Sequence, residues 1–210
     1  MGRGHGGSRG GGGASGFRGD ASMEGYSAGL AKAMTAREEE IRGLQIEHLS
    51  IFDDNGNELF RNVGTGTHVQ SSPEHEPNHI VTHNHPSTGR NKGQERSDGG
   101  GSLSKQDILG SIDTNAKEIR AVTKTRTYSL KRPKEGWVQG GWKGDKFLGN
   151  NAYNYRKAKE TVDKRDKAYY KGYKGDRATA ARRMSSTYWH RVNKEFASRM
   201  GYEYTSSRVN

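Results

Sequence analysis

Two histidines separated by a single residue, His83 and His85, stand at the end of a short run of strand-forming residues. Residues 80–82 are Ile-Val-Thr, which favour an extended chain, and Pro86 cannot continue a sheet. Side chains in a strand alternate between its two faces, so the two imidazoles point to the same side. Two adjacent imidazoles are two of the three protein ligands of a typical catalytic zinc site. We therefore predict a metal site at the end of this strand.

The third ligand and a general base are predicted from the flanking sequence, because a metal hydrolase also needs a group that handles protons. Asp107 lies at the start of a predicted helix, where its carboxylate can reach back toward the strand end. Glu47, near the start of an earlier predicted strand, is the candidate base. Each feature also has a simpler interpretation. Ser104 and Asp107 fit a helix capping box, the histidine pair fits a solvated strand face, and Glu47 fits a surface carboxylate.

The same residues occur in the order found in a known family of metalloproteases. Glu47, then His-Asn-His-Pro-Ser at 83–87, then Ser-x-x-Asp-Ile at 104–108 resembles the JAMM (MPN+/JAB) family. The resemblance is especially close to its RadC-like branch, where His-Asn-His-Pro-Ser-Gly precedes Ser-x-x-Asp-Ile. It extends over about residues 40–131 and implies a JAMM/cytidine-deaminase-like mixed sheet with flanking helices.

The resemblance also implies roles for the matching residues. His83, His85 and Asp107 would bind Zn²⁺. Glu47 would take a proton from the water that zinc activates and pass it to the leaving amine, and Ser104 would stabilise the oxyanion.

The spacing of the ligands departs from this family. Twenty-one residues separate His85 from Asp107, whereas the family has about ten. We interpret residues 90–101 as a glycine-rich insertion, which a surface loop tolerates because loop closure costs rise slowly with length. Asp98 lies nearer the usual spacing and is the rival ligand, although it lacks the Ser-x-x-Asp context.

The remaining histidines suggest two further interpretations. His68, within a Gly-Thr-Gly-Thr-His segment, is a candidate for the substrate groove. His75 and His79 lie near Glu74 and Glu76 and are candidates for a second metal site. The prolines at 73 and 77 interrupt regular geometry there, which weakens that second hypothesis.

The pattern of apolar residues predicts an α/β (α+β) domain over residues 36–133. A weak helical pattern covers 23–43, and a helix is predicted from Ser104 to about Asn115. Strands are predicted at 44–52, 58–63, 79–83, 118–124 and 126–131, with a hairpin turn at 53–57.

The flanks differ from this domain in composition. Residues 1–22, with ten glycines in the first twenty positions, are predicted to be a disordered linker, with an RNA contact as the alternative. Residues 134–150 are predicted to be a Gly/Trp-rich linker, and residues 151–210 a basic helical extension with helices at 151–171 and 176–200. This extension has fifteen Lys and Arg against six Asp and Glu, so most of the net charge of +11 lies there.

The basic extension suggests a function separate from the metal site. Its cations and tyrosines are typical of a surface that binds phosphates and stacks on bases, and the alternative is a solvated helical face whose tyrosines pack on the core. The candidate nucleic-acid-binding residues are Arg156, Lys157, Lys164, Arg165, Arg182 and Arg183. An apolar stripe in the second helix, Ala181, Met184, Tyr188, Val192 and Phe196, is predicted to be a packing face.

These observations favour a zinc-dependent metallopeptidase or isopeptidase that acts on a protein or peptide. The alternative is a RadC-like or phage-structural module that binds nucleic acid through the C-terminal helices, and a detached part of a phage head or polymorphic toxin protein is a third hypothesis. The lack of cysteine excludes thiol catalysis and cysteine-ligated zinc. No apolar run is long enough for a membrane helix, and we expect a cytoplasmic location, or the host cytoplasm or virion if a phage encodes the chain.

Overall fold

The chain folds into five α-helices and a six-stranded mixed sheet within the part that the structure describes, which confirms the predicted mixed α and β class. This computed structural model describes residues 23–86, 101–138, 142–143, 146–147 and 150–209. The helices are α1 (Ala28–Ile41), α2 (Lys105–Asp113), α3 (Asn151–Gly172), α4 (Arg177–Ser186) and α5 (Tyr188–Met200). The strands are β1 (His48–Phe52), β2 (Glu58–Val63), β3 (Ile80–Asn84), β4 (Glu118–Val122), β5 (Arg126–Lys131) and β8 (Glu203–Arg208), and a separate pair comprises β6 (Trp142–Lys143) and β7 (Lys146–Phe147).

The sheet has the order β2-β1-β3-β4-β5-β8, and only the β3–β4 pair is parallel. Parallel neighbours need a crossover connection, and here α2 lies in the segment that makes it. A crossover leaves the carboxyl end of the first strand, so residues 85–86, directly after β3, and the start of α2 lie at the same edge of the sheet. This edge is where the predicted metal ligands meet.

One face of the sheet packs against α2, α3 and α5 and forms the larger hydrophobic core. Its apolar side chains come from the central strands, from α2 and from the C-terminal helices. They include Leu49, Ile51, Val81, Leu103, Ile108, Ile112, Ile119, Tyr128, Leu130, Trp137, Tyr155, Val162, Val192, Phe196 and Tyr202. The metal-site region and the basic extension therefore share one core.

The other face of the sheet is covered by α1, which packs partly through apolar contacts and partly through buried charges. Leu30 and Met34 form a small apolar cluster with Phe52 and Ile80. Farther along, the side chain of Arg120 is fully buried in the sheet and is sandwiched between two carboxylates.

The two carboxylates satisfy the Arg120 guanidinium from opposite sides. Its Nε donates to Glu38 of α1 at 2.6 Å, and its Nη1 donates to Glu118 at 3.0 Å. Thr82 also donates to Glu38, and Ser129 donates to Glu118. Although burial opposes its charged form, the two carboxylates hold the pKa of Arg120 well above its ordinary value.

The C-terminal strand β8 was absent from the sequence prediction. It pairs antiparallel with β5, from Arg126 opposite Arg208 to Lys131 opposite Glu203. Its sequence is mostly polar, and it occupies the edge of the sheet, so it lacks the apolar alternation that identifies a strand. Because β8 extends the same sheet, the predicted domain end at 133 falls inside a continuous packing unit.

The boundaries of other elements also differ from the prediction. The first strand begins at His48 instead of residue 44, because the carbonyl oxygens of Leu44 and Ile46 accept from the Asn84 side chain instead of a neighbouring strand. The helix predicted over 176–200 is broken at Thr187 into α4 and α5. The predicted stripe is therefore interrupted: Val192 and Phe196 are in the core, whereas Ala181 is exposed.

The predicted linker at 134–150 contains a core residue. Trp137 is buried, and its indole nitrogen donates to the carbonyl oxygen of Ala116 at 2.8 Å. The predictions for residues 1–22, for Asp98 and for nearly all of the insertion at 90–101 lie outside the described residues. None of the helices in the described part of the chain has both the length and the apolar character needed to cross a membrane.

Removing the Glu38 carboxylate tests the buried charge network. In Glu38→Ala, Arg120 keeps Glu118 but loses its partner on α1, and we expect the free energy of unfolding to fall by about 3 kcal/mol. The control is Glu39→Ala, an exposed neighbour on the same helix, which should change it by less than about 0.5 kcal/mol. Urea unfolding monitored by circular dichroism measures the free energy of unfolding of both variants. Equal losses in Glu38→Ala and Glu39→Ala would contradict a stabilising role for the buried network.

Candidate metal centre

Three side chains predicted as metal ligands converge at the carboxyl edge of the sheet. The ligand atoms of His83, His85 and Asp107 all lie within 4.8 Å of one another. The two Nε2 atoms are 2.9 Å apart, and the Asp107 oxygens lie 3.5 Å from Nε2 of His83 and 3.3 Å from Nε2 of His85. Two nitrogens and a carboxylate aimed at one point form a set that could hold a metal ion.

The strand geometry places both imidazoles on one face, as predicted. His83 is in β3, and the backbone N–H of His85 donates to Val122 at 2.8 Å, so the chain stays extended past the strand end. The Nδ1 of His85 lies 2.9 Å from the carbonyl oxygen of Gly101, which can only accept. This bond places a proton on Nδ1 and directs Nε2 toward the other ligands.

Asp107 acts as a helix cap and faces the histidines at the same time. Its Oδ2 accepts from the backbone N–H of Ser104 at 2.6 Å, and the Ser104 Oγ accepts from the Asp107 N–H at 3.1 Å. The capping box therefore fixes the carboxylate so that its oxygens lie beside the imidazoles. The two interpretations of this motif are compatible, because the cap is what positions the ligand.

The charges of the three side chains are strongly coupled. Burial opposes the charged form of Asp107, but the adjacent His83 and His85 outweigh it and hold the carboxyl pKa well below its ordinary value. Burial likewise opposes charge on His85, and the hydrogen bond and charge of Asp107 reverse the effect and raise the imidazole pKa. The carboxylate that favours a proton on His85 would equally favour a metal cation beside it.

Glu47 lies beside the three ligands, in a short segment held by backbone bonds. Its N–H donates to the carbonyl oxygen of Thr65 at 2.6 Å, and its carbonyl accepts from Gly64 at 2.8 Å. Its side chain is half-buried, and this burial raises the carboxyl pKa although His83 and His85 act to lower it. A half-buried carboxyl whose pKa is raised accepts a proton more readily than an exposed one, as a general base must.

Asn84, between the two histidines, was not predicted as a functional residue. It is buried, and its amide nitrogen donates to the carbonyl oxygens of Leu44 and Ile46 at 3.3 and 3.0 Å. Its oxygen accepts from the backbone N–H of His48 at 2.6 Å. Asn84 therefore holds both ends of the segment that contains Glu47. The signal in the sequence is a polar amide within a buried strand, which must find partners.

Two cavities meet at the ligands. One, of about 400 Å³, is lined by Glu47, Asp107 and His68, and by residues of the loop after β2 and of α2. The other, of about 360 Å³, reaches from Glu47 and His85 to Lys105 and Trp189. His68 does line a groove at the site, as the sequence suggested. Glu47 and His85 line both cavities, whereas His83 and Asp107 line only the first.

The loop after β2 makes a close turn that shapes the first cavity. Thr65 donates its N–H to the carbonyl oxygen of His68 at 2.7 Å. A Cβ at Gly64 would collide with that carbonyl oxygen and lie 2.6 Å from the Cα of Val69, both of which are backbone atoms. Glycine is therefore required there by close backbone approach, and not by a phosphate-binding function.

The C-terminal segment holds the loop that leads into α2. Asn193 of α5 is fully buried, and its amide nitrogen donates to Ser102 Oγ at 3.0 Å and to the Leu103 carbonyl oxygen at 2.8 Å. Its oxygen accepts from Tyr155 of α3 at 2.9 Å, and Tyr204 of β8 lies 2.7 Å from Ser102 Oγ. These partners brace the two residues before the α2 N-cap, so the C-terminal segment supports the site. Sequence reasoning missed this connection because the contacting residues are about ninety positions apart.

The hypothesis of a second metal site does not match the geometry. Within the described residues, only His83, His85 and Asp107 are grouped closely enough to hold a metal ion. His79 Nδ1 lies 2.7 Å from the His75 carbonyl oxygen instead of facing a carboxylate.

The candidate nucleic-acid-binding cations are distributed over α3 and α4, and several are paired with neighbouring acids. Lys157 contacts Glu160 at 2.7 Å, with Arg156 3.8 Å from the same carboxylate, and Arg165 contacts Glu195 at 2.8 Å. The others, Lys164, Arg182 and Arg183, are exposed. Ion pairing lowers the charge available to phosphates, and nucleic-acid binding stays a prediction.

Comparisons with protein-family models, with curated proteins and with solved structures found no match to this chain. The functional argument therefore depends on the side chains of the site and their geometry.

Titration with cobalt(II) tests the metal site directly. We expect one equivalent to bind and to produce a visible absorption band, and the affinity to rise from pH 6 to pH 7.5 because His85, whose pKa is raised, must release a proton. Asp107→Ala should abolish the band, whereas the control His68→Ala, on the cavity wall, should retain it. Binding that persists in Asp107→Ala would contradict the ligand assignment.

Proposed function

We propose that this chain is a zinc-dependent metallopeptidase or isopeptidase of JAMM type that hydrolyses an amide bond in a protein or peptide. The observation that best supports the proposal is the convergence of His83, His85 and Asp107 with Glu47 on the wall of the same cavity. A site that only bound a metal for stability would have no use for a proton-accepting carboxylate beside an accessible cavity. The order of these residues along the chain, which resembles the JAMM family, agrees with this assignment.

The donor set fits zinc. Two imidazole nitrogens and one carboxylate oxygen are ordinary zinc ligands, and three protein ligands leave a fourth position for water or substrate. The buried Nε2 atoms of His83 and His85, 2.9 Å apart, would both donate their lone pairs to a cation between them and Asp107. Iron(II) oxygenases use the same donor set. Glu47 favours hydrolysis over that chemistry, because hydrolysis requires a proton acceptor at the ligand site.

Glu47 is the proton carrier in the proposed reaction. When bound, the metal supplies Lewis-acid polarisation of the substrate carbonyl and makes water more acidic. Glu47 accepts a proton from the water whose oxygen attacks the carbonyl carbon, and it transfers that proton to the amide nitrogen as the C–N bond breaks. The raised pKa of Glu47 suits both steps, since the carboxylate must accept the proton and then return it.

Ser104 has a proposed second role at the carbonyl oxygen. As the N-cap of α2, its Oγ accepts from the Asp107 N–H, so its own hydroxyl proton is available to another acceptor. The side chain lines both cavities at the ligands. A donor there stabilises the negative charge that develops on the substrate oxygen during attack.

The test compares hydrolysis by the zinc-loaded chain and by Glu47→Gln in a proteome-derived peptide library, with new termini identified by mass spectrometry. We expect cleavage by the wild type and a loss of rate of about 100-fold or more in the variant, because the proton carrier is absent. Zinc content should be unchanged in Glu47→Gln, since Glu47 is not among the ligands.

A matched control is Glu203→Gln, which removes an exposed carboxylate at the far end of the chain. This variant should cleave the peptides at the wild-type rate. Chelation should stop the wild-type reaction and added zinc should restore it. Restoration by iron(II) but not zinc, or cleavage by Glu47→Gln at the wild-type rate, would contradict the proposal.

A further inference from the structure

The cavity at the metal ligands continues into a second cleft on the C-terminal helices. Lys105 and Trp189 line the cavity that contains Glu47 and His85, and they also line a neighbouring cleft of about 670 Å³. The other described residues on the wall of this cleft belong to α3 and the residue before it: Asn150, Ala152, Tyr153, Tyr155, Arg156 and Lys159. We call this cleft the α3 cleft. A ligand that occupies the metal site can extend into it without leaving the protein surface.

The α3 cleft is positively charged and has no carboxylate among its described lining residues. Lys105, Arg156 and Lys159 line it. Lys105 is exposed and forms no ion pair with any residue that the structure describes. Arg156 is two-thirds exposed, with its Nε 3.8 Å from Glu160. Lys159 is paired with Asp163 at 2.8 Å, so the positive charge that is available next to the metal site belongs mainly to Lys105 and Arg156.

Two aromatic side chains form the apolar part of this wall. Tyr153 is 40% exposed, and the guanidinium of Arg156 lies 5.5 Å from the centre of its ring. Trp189 packs edge-on against Tyr188, with ring centroids 5.0 Å apart. Tyr188 is in turn held by the hydroxyl bond to Asp163 at 2.5 Å. The wall is thus pre-organised, with cations beside flat apolar surface.

We propose that the α3 cleft binds an acidic segment of the substrate, so that the enzyme selects peptides with Asp or Glu residues on one side of the cleaved bond. This inference rests on the proposed peptidase function, because it assigns the substrate class of that same site. The carboxylates of the segment would pair with Lys105 and Arg156, and neutral or apolar residues would lie against Tyr153 and Trp189.

A peptide suits this surface better than a polynucleotide. Glu47 and Asp107 place two carboxylates at the metal end of the groove, which disfavours the closely spaced charges of a polynucleotide backbone there. A polynucleotide presents a charge at every residue and must place some of them at that end. A peptide can present neutral residues at the metal site and acidic residues only in the α3 cleft.

The experiment measures binding instead of cleavage, so that its outcome is independent of the hydrolytic reaction. The full chain with Glu47→Gln, loaded with zinc, is titrated against a fluorescein-labelled peptide of about twelve residues containing four Asp or Glu, with fluorescence anisotropy as the signal. The matched probe replaces each acid by Asn or Gln, and a labelled single-stranded RNA of similar length is the third probe.

We expect the acidic peptide to bind at least tenfold more tightly than its amide counterpart, and less tightly as salt is raised. Lys105→Glu and Arg156→Glu should each weaken its binding about tenfold, because each reverses a charge that lines the cleft. Lys32 is an exposed cation on α1, at the opposite face of the sheet. Lys32→Glu should leave the affinity for the acidic peptide unchanged.

Equal affinity for the acidic and amide peptides would overturn the inference, as would equal losses in Lys105→Glu and Lys32→Glu. Tighter binding of the RNA than of the acidic peptide, with loss in the same two cleft variants, would overturn it in favour of nucleic acid. Neither result depends on catalysis, so a failure of the peptidase assay and a failure of this binding assay are distinguishable.

Discussion

The parallel pairing of β3 with β4 is the constraint on which the rest of the site depends. Because two parallel strands must be joined by a crossover, the chain leaves the end of β3, passes along α2 and returns to β4. The helix start is thereby brought to the strand end, where the imidazoles of His83 and His85 lie on the same side of the extended chain. The capping box of Ser104 and Asp107 then serves two purposes, since it satisfies the free amides of α2 and presents a carboxylate to both imidazoles. Asn84, the residue of β3 that lies between the two histidines, brings Glu47 to the site. Its side chain bonds to the backbone of Ile46 and His48, the residues on either side of Glu47.

The C-terminal segment belongs to the same structural unit as the site. Strand β8 completes the sheet, α3 and α5 cover its larger core, and the buried amide of Asn193 binds the loop before α2. The basic helices α3 and α5 therefore also support the candidate metal ligands and form a wall of the groove that leads away from them. A basic surface and a candidate metal site that look separate in the sequence are adjacent in space.

The sequence was sufficient to predict the features that depend on local pattern. The mixed class, the central strands, the helix after Ser104 and the grouping of His83, His85 and Asp107 all followed from alternation, capping and residue type. What it missed depends on contacts between distant residues. Strand β8 is polar and has no apolar alternation, and the break at Thr187 has no glycine or proline to mark it. Asn84 and Asn193 are ordinary amides in the sequence, and only their burial shows that each must hold backbone or side-chain partners.

The central proposal is that zinc binds between His83, His85 and Asp107, with a position left open beside Glu47. The most direct measurement is a crystal structure of the zinc-loaded chain with anomalous diffraction data collected at the zinc absorption edge. The account predicts one anomalous peak about 2.0–2.2 Å from Nε2 of each histidine and from one Asp107 oxygen, with no bond to Glu47. A zinc ion bound by Asp98 in place of Asp107, or one that Glu47 coordinates as the fourth protein ligand, would contradict it, because either arrangement removes the site that the reaction requires.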